Sequence, residues 1–246
     1  MKTVAATITS QLRNIGPIYA KELRSYFNSA VAYVVIVVFL AFLGWFYASN
    51  IFLINIASMR EMFETARWIL LFVIPAITMR LLAEETKSGT IELLTTKPVH
   101  DAEIVLGKFF AAWSLIGFAL APTFVYYATI ASLGNVDHGP VIGGYLGLLL
   151  MAGVYVAVGL FASSVTDNQI VAFILGIFMI MVLFVMDKIL MFVPEWLTSV
   201  FEYIGTDSHY VSIARGVIDT RDIVYFLSML GFMLYLSVIS LERRKW

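Results

Sequence analysis

Residues 30–49 read Ala-Val-Ala-Tyr-Val-Val-Ile-Val-Val-Phe-Leu-Ala-Phe-Leu-Gly-Trp-Phe-Tyr-Ala-Ser, twenty positions without an acidic or basic side chain. A hydrocarbon core about 30 Å thick is crossed by roughly 20 helical residues. The rest of the chain has the same character. Of 246 residues, 61% are hydrophobic and 13% charged, against about 45–50% and about 25% in soluble domains. With 19 Phe, 12 Tyr and 5 Trp, the apolar surplus exceeds what one soluble core can hide. The expected class is an all-α integral membrane protein. A disordered chain is excluded, and with no cysteine so is a disulfide-stapled secreted module. A net charge of -1 provides no field for nucleic acid.

Five further runs are long enough to cross, at 66–82, 108–133, 141–163, 169–186 and 223–241. Arg80, near the end of the second, can snorkel to the interface. It is the only ionisable group in the span interiors, and every acid falls in a loop or at a span end. Pro75 and Pro122 predict kinks, and Gly143 with Gly147 permits close helix packing. The lead before the first span holds Lys2, Arg13, Lys21 and Arg24, too long and too polar for a cleaved signal peptide. Placing the N-terminus inside puts 11 Lys and Arg on that side, against Arg60, Arg67, Lys188, Arg215 and Arg221 outside. By the positive-inside rule both termini are cytoplasmic.

Three amphipathic pieces lie between the spans. In residues 14–29, Ile15, Ile18, Tyr19, Leu23, Tyr26 and Phe27 form a helical stripe opposite Lys21, Arg24 and Asn28. That split predicts a helix lying in the membrane interface. The outer segment 187–222 carries two stripes, Trp196, Val200, Tyr203 and Ile204, then Tyr210, Ile213, Ala214, Val217 and Ile218. Both are too short to span and too apolar for water, which predicts re-entrant half-helices. Thr206 and Asp207 between them suit an N-cap. The polar groups at that turn need protein partners, for which Arg215, His209, Asp187 and Asp219 are at hand.

Residues 84–108 form the most charged connection. Gly89 permits a chain reversal, Thr90 can cap a short helix with Glu92 in its first turn, and Pro98 stops it. Asp101 then caps the helix of the third span, with Glu103 in its first turn. Ile91, Leu93 and Leu94 give the short helix an apolar edge where solvent is expected, a docking feature.

These residues resemble a known loop. Glu84-Glu85, Gly89-Thr90, Glu92-Leu93-Leu94, Thr96, Pro98 and Gly107-Lys108 are similar to the cytoplasmic loop of the ABC type-2 transporter permease family. Within it the chain is most similar to the gliding-motility-associated permeases. The likeness there lies in Ser163-Ser164, Thr166, Asn168-Gln169 and Ala172, then His209, Arg215-Gly216, Asp219, Asp222, Tyr225-Phe226 and Arg243-Arg244-Lys245-Trp246. The resemblance implies that residues 84–103 hold a coupling helix that receives an ABC ATPase subunit. Glu84 and Glu85 would offer charge partners, and Ile91, Leu93 and Leu94 would fill a groove on that subunit. It further implies two ATPase copies, a second permease copy or related permease, and a bacterial inner-membrane location. A companion membrane protein with a large extracytoplasmic domain belongs to several related systems. The segment with His209, Arg215 and Gly216 is implied to be an extracytoplasmic gate.

A P-loop needs Gly-x-x-x-x-Gly-Lys-Ser/Thr to cradle phosphates. Here Gly107-Lys108 is followed by Phe109, with Ala102 where the first Gly belongs. ATP and magnesium are therefore expected in a partner subunit, and no cofactor or catalytic residue in this chain. The three histidines, His100, His138 and His209, are too few and scattered for a metal site. His138 reads as a surface residue, and His209 as a buried hydrogen-bonding one. Ser163 and Ser164 read as helix-end caps. Two readings from other classes stand beside the transporter: a membrane scaffold, which leaves the loop motif unexplained, and an ion-coupled transporter, which needs acids at membrane depth.

Overall fold

The computed structural model describes residues 14–54, 58–90, 99–134, 136–192, 194, 198, 201 and 203–243. All of its regular elements are helical. In chain order they are α1 (Ile15–Asn28), α2 (Ala30–Ile54), α3 (Arg60–Thr78), α4 (Ala83–Lys87), α5 (Asp101–Leu120), α6 (Phe124–Leu133), α7 (His138–Val165), α8 (Gln169–Val185), α9 (Thr206–Ala214) and α10 (Thr220–Arg243). Six helical stretches are long and apolar enough to cross a membrane: Ala30–Ser49, Arg60–Lys87, Asp101–Leu133, His138–Val165, Gln169–Ile189 and Thr220–Arg243. This is a multi-pass membrane protein with the six spans the apolar runs indicate.

Two spans begin more than a full turn before hydropathy places them, at Arg60 and at Asp101. A helix does not stop where its side chains turn polar, because each backbone group still needs its partner. The extra turns bring Arg67 and Lys108 inside helices rather than at their mouths. Pro122 acts as predicted: it lies in a 3₁₀ turn, Ala121–Thr123, that separates α5 from α6. Pro75 lies within α3, which ends three residues later. The helix of the third span is capped by His100 rather than by Asp101. The Glu103 carboxylate accepts the His100 N–H at 3.0 Å, a reciprocal cap one position earlier than expected.

α7 is the hub. It packs on α3, α5, α8, α9 and α10, and 78% of its most apolar stretch is buried, against 22% for α2 at the edge. In lipid, burying apolar area has little driving force between helices, so close approach and hydrogen bonds must join them. Trp113 donates its indole N–H to the Leu149 carbonyl at 2.9 Å, and the Thr123 and Tyr145 hydroxyls meet at 2.9 Å. Each such bond is worth about 0.6 kcal/mol in a membrane. α2 joins through Tyr47, which stacks on Tyr126 and donates to its carbonyl at 2.6 Å.

Candidate functional site

Two buried charge clusters stand at opposite ends of the bundle. The first joins α1, α4 and α5. Lys108 is 1% exposed, and its ammonium lies 2.9 Å from Glu85 Oε1 and 3.2 Å from Glu22 Oε1. Lys21, on the exposed face of α1, adds looser contacts of 3.6 Å to Glu22 and 3.9 Å to Glu85. Glu85 Oε2 is buried without a hydrogen-bond partner among the described residues. A buried cation is tolerated only with paired charge, so Lys108 obliges α1 and α4 to meet across the start of α5. Asn14 reinforces the joint, donating its backbone and side-chain N–H groups to Glu103, each at 3.0 Å. Tyr26 completes it from α1. Burial, then nearby Glu22, pushes its hydroxyl well above the ordinary phenol range, so it stays protonated and donates to the Ile77 carbonyl at 3.5 Å.

The apolar stripe of residues 14–29 therefore faces protein: Tyr26 is buried, and Ile18, Tyr19, Leu23 and Phe27 pack on the core while Lys21, Arg24 and Asn28 are exposed. Ser163 serves this end in a way periodicity does not show. Its hydroxyl accepts the Leu82 and Ala83 N–H groups at 3.1 and 3.0 Å and donates to the Met79 carbonyl at 3.0 Å. It caps α4 from another helix instead of ending its own.

The loop residues singled out by sequence fall in two groups. Glu85 turns inward to Lys108, whereas Glu84 pairs with Arg80 at 2.9 Å on the exposed side. Gly89 takes the left-handed conformation, φ +69°, that a chain reversal requires. The Thr90 hydroxyl donates to the Glu85 carbonyl at 3.3 Å and meets Ser88 at 2.9 Å. Ile91, Glu92, Leu93, Leu94 and Pro98, which carry the short helix expected there, lie outside the described residues, as do Trp196 and Val200.

The second cluster centres on Arg67, 2% exposed. Its guanidinium spans Glu64 on its own helix and Asp207 at the start of α9, and sits 4.4 Å above the Tyr210 ring. Lys188 holds the other Asp207 oxygen at 3.1 Å. The interior thus holds Arg67 and Lys108, whereas Arg80 lies in the turn after Thr78 with an exposed side chain. Hydropathy alone places Arg67 at the outer mouth of the second span, not inside it. The signal for it is Glu64 three residues earlier, a helical ion-pair spacing at the edge of an apolar run.

α9 lies back along the first half of α7. Thr206 sits 3.3 Å from the Tyr155 hydroxyl, while Gly216 packs against Gly139 and Pro140. Gly143 and Gly147 serve this contact: a Cβ on Gly143 would fall 2.0 Å from the Ile213 carbonyl, and one on Gly147 3.0 Å from the Tyr210 ring. The N-terminus of α9 is capped in trans. Asp187, not Thr206 or Asp207, accepts the Asp207 and Ser208 N–H groups at 2.8 and 3.2 Å. His209 makes the hydrogen bond expected of it from a partly buried position, 2.7 Å from Asp222 and stacked 3.9 Å from Tyr225. Arg215 and Gly216 end α9 at the surface, so the cluster does not include them. His138 is on the surface as expected, bonded to Tyr127 at 2.7 Å.

The search of curated proteins finds no match. A family model, by contrast, matches almost end to end, over residues 3–244. Six apolar helices, α7 the central one, and that match together place the chain: it belongs to the ABC-2 family of transporter proteins.

Proposed function

We propose that this chain is the permease subunit of an ATP-driven ABC transporter, receiving force from a separate ATPase subunit at residues 84–103. Proteins of this family partner with an ABC ATPase. The observation that carries the reading is the Lys108 joint: Glu85 opens the connecting segment, and its carboxylate is tied through Lys108 to α5 and Glu22 of α1. A push on residues 91–98 thereby reaches two helices at once, a physical link of the kind coupling between sites requires. In this reading ATP and magnesium are bound by two copies of the partner. The permease pairs with a second copy or a related permease, and α1 lies at the cytoplasmic face of a bacterial inner membrane. The likeness to gliding-motility permeases makes force transmission to a companion membrane protein a form of the same function.

At the other end, α9 with His209, Arg215 and Gly216 serves as the extracytoplasmic gate, and the segment 187–222 re-enters the membrane. An ion-coupled carrier would need carboxylates free to take a cation, and Glu64 and Asp207 are committed to Arg67. A scaffold leaves the apolar edge of Ile91, Leu93 and Leu94 on a charged loop unexplained. The test is Leu93→Asp with Leu94→Asp. The paired change is expected to abolish co-purification of the ATPase and its stimulated hydrolysis. If both persist unchanged, the docking site lies elsewhere.

A further inference from the structure

At the end of the bundle that carries Arg60, the first turn of α3, the turn before α7 and the last turn of α9 line a half-open cavity of about 270 Å³. A single water needs only about 10–15 Å³, so the space suits a chain rather than an ion alone. Its inner wall is apolar, formed by Phe63, Val141 and Tyr210. Its charged residues are Arg60, Glu64, Asp137 and Arg215, and they are not equivalent. Glu64 is held by Arg67, and Asp137 accepts the Gly139 N–H at 3.1 Å. Among the described residues neither Arg60 nor Arg215 has an ion-pair partner. Arg215 is fixed by its backbone: its N–H bonds the Val211 carbonyl at 3.1 Å, and Gly216 beside it takes φ +84° against the Gly139–Pro140 backbone. A side chain there would be strained and would collide.

Two arginines thus line the cavity, and neither is spent on an ion pair among the described residues. Each offers a planar fork that matches phosphate oxygens. One fork satisfies a carboxylate, whereas two forks suit a phosphate. Arg60 opens the second span and Arg215 lines the same cavity, so both stand at the end of that span, where headgroups lie, with Phe63 one turn further in.

We propose that this cavity binds one anionic phospholipid, its phosphate between Arg60 and Arg215 and an acyl chain against Phe63, Val141 and Tyr210. The site stands apart from the Lys108 joint and does not rest on ATPase coupling. The test is native mass spectrometry of the full chain in mild detergent with phosphatidylglycerol, phosphatidylcholine or oleate added. The expected result is one phosphatidylglycerol retained about tenfold better than phosphatidylcholine or oleate. Arg60→Gln with Arg215→Gln should reduce that retention to the phosphatidylcholine level, and Arg24→Gln, exposed on α1, should leave it unchanged. Both arginines are exposed, and each single glutamine variant provides a second reading, with a several-fold loss. Equal retention of phosphatidylglycerol and phosphatidylcholine by the wild-type chain overturns the proposal. So does a preference for oleate, or undiminished phosphatidylglycerol binding in the double variant.

Discussion

Arg67 and Lys108 are both shut inside the bundle, each between two carboxylates, yet one is held partly by its own helix and the other wholly by strangers. Arg67 keeps Glu64 one turn away whatever α9 does, and adds Asp207 and the Tyr210 ring only when α9 is docked. Lys108 has no partner on α5; Glu22 and Glu85 come from α1 and α4. The Arg67 cluster can therefore lose its tertiary partner and remain half satisfied. The Lys108 cluster, of a second kind, is complete only when both neighbours are present. A buried charge of that second kind behaves as an obligate joint, because separating its parts leaves an unpaired charge at a cost of about 3–5 kcal/mol.

The contrast breaks most sharply at Arg67. Arg67→Met leaves Glu64 without a cation and Asp207 with the half-exposed Lys188 alone, and should destabilise the chain by about 3–5 kcal/mol, read by denaturant titration in detergent. Arg67→Lys should recover less than half of the loss, since one ammonium cannot replace a fork and a stacked plane. Lys108→Met should cost somewhat less, about 3 kcal/mol, because Lys21 remains within 4.0 Å of both acids. If Lys108→Met proves the costlier change, Lys21 does not take over its two acids.

A smaller effect separates the two glycines beneath α9. Gly143→Ala meets a backbone carbonyl, which cannot rotate aside, and should cost about 1–3 kcal/mol. Gly147→Ala meets the Tyr210 ring at 3.0 Å and should cost less than half of that. Displacement of α9 is read by a single cysteine in a chain that has none. Ile213→Cys, fully buried, should resist maleimide and become reactive once Gly143→Ala is added. The smallest change is Arg80→Gln, which removes an exposed pair four residues apart on the chain. It should fall below about 0.5 kcal/mol.

How much of this was legible follows from which interactions are local. The six spans are written in uninterrupted apolar runs, and Pro122 marks its own break. Gly143 and Gly147 announce a close contact, but not that α9 makes it. Lys108 reads as an orientation charge at the mouth of the third span, because Glu22 stands 86 positions away and no periodicity connects the two. The Asp187 cap has the same cause: its target lies 20 residues on, across the 193–202 region. Arg67 was hidden differently. Hydropathy starts the span at Ala66 while the helix starts at Arg60, so a paired arginine two turns into the helix reads as lying at the mouth of the span.

The central claim is that the Glu85–Lys108 joint passes force from the ATPase into the membrane helices. Lys108→Met with Glu85→Gln tests it directly. The pair removes one charge of each sign and leaves Glu22 to Lys21, so stability should stay within about 1 kcal/mol of wild type. The account predicts that the ATPase subunit still co-purifies with this variant, while hydrolysis falls to the rate of the ATPase alone. A folded variant whose ATPase is stimulated as in the wild-type complex would contradict it.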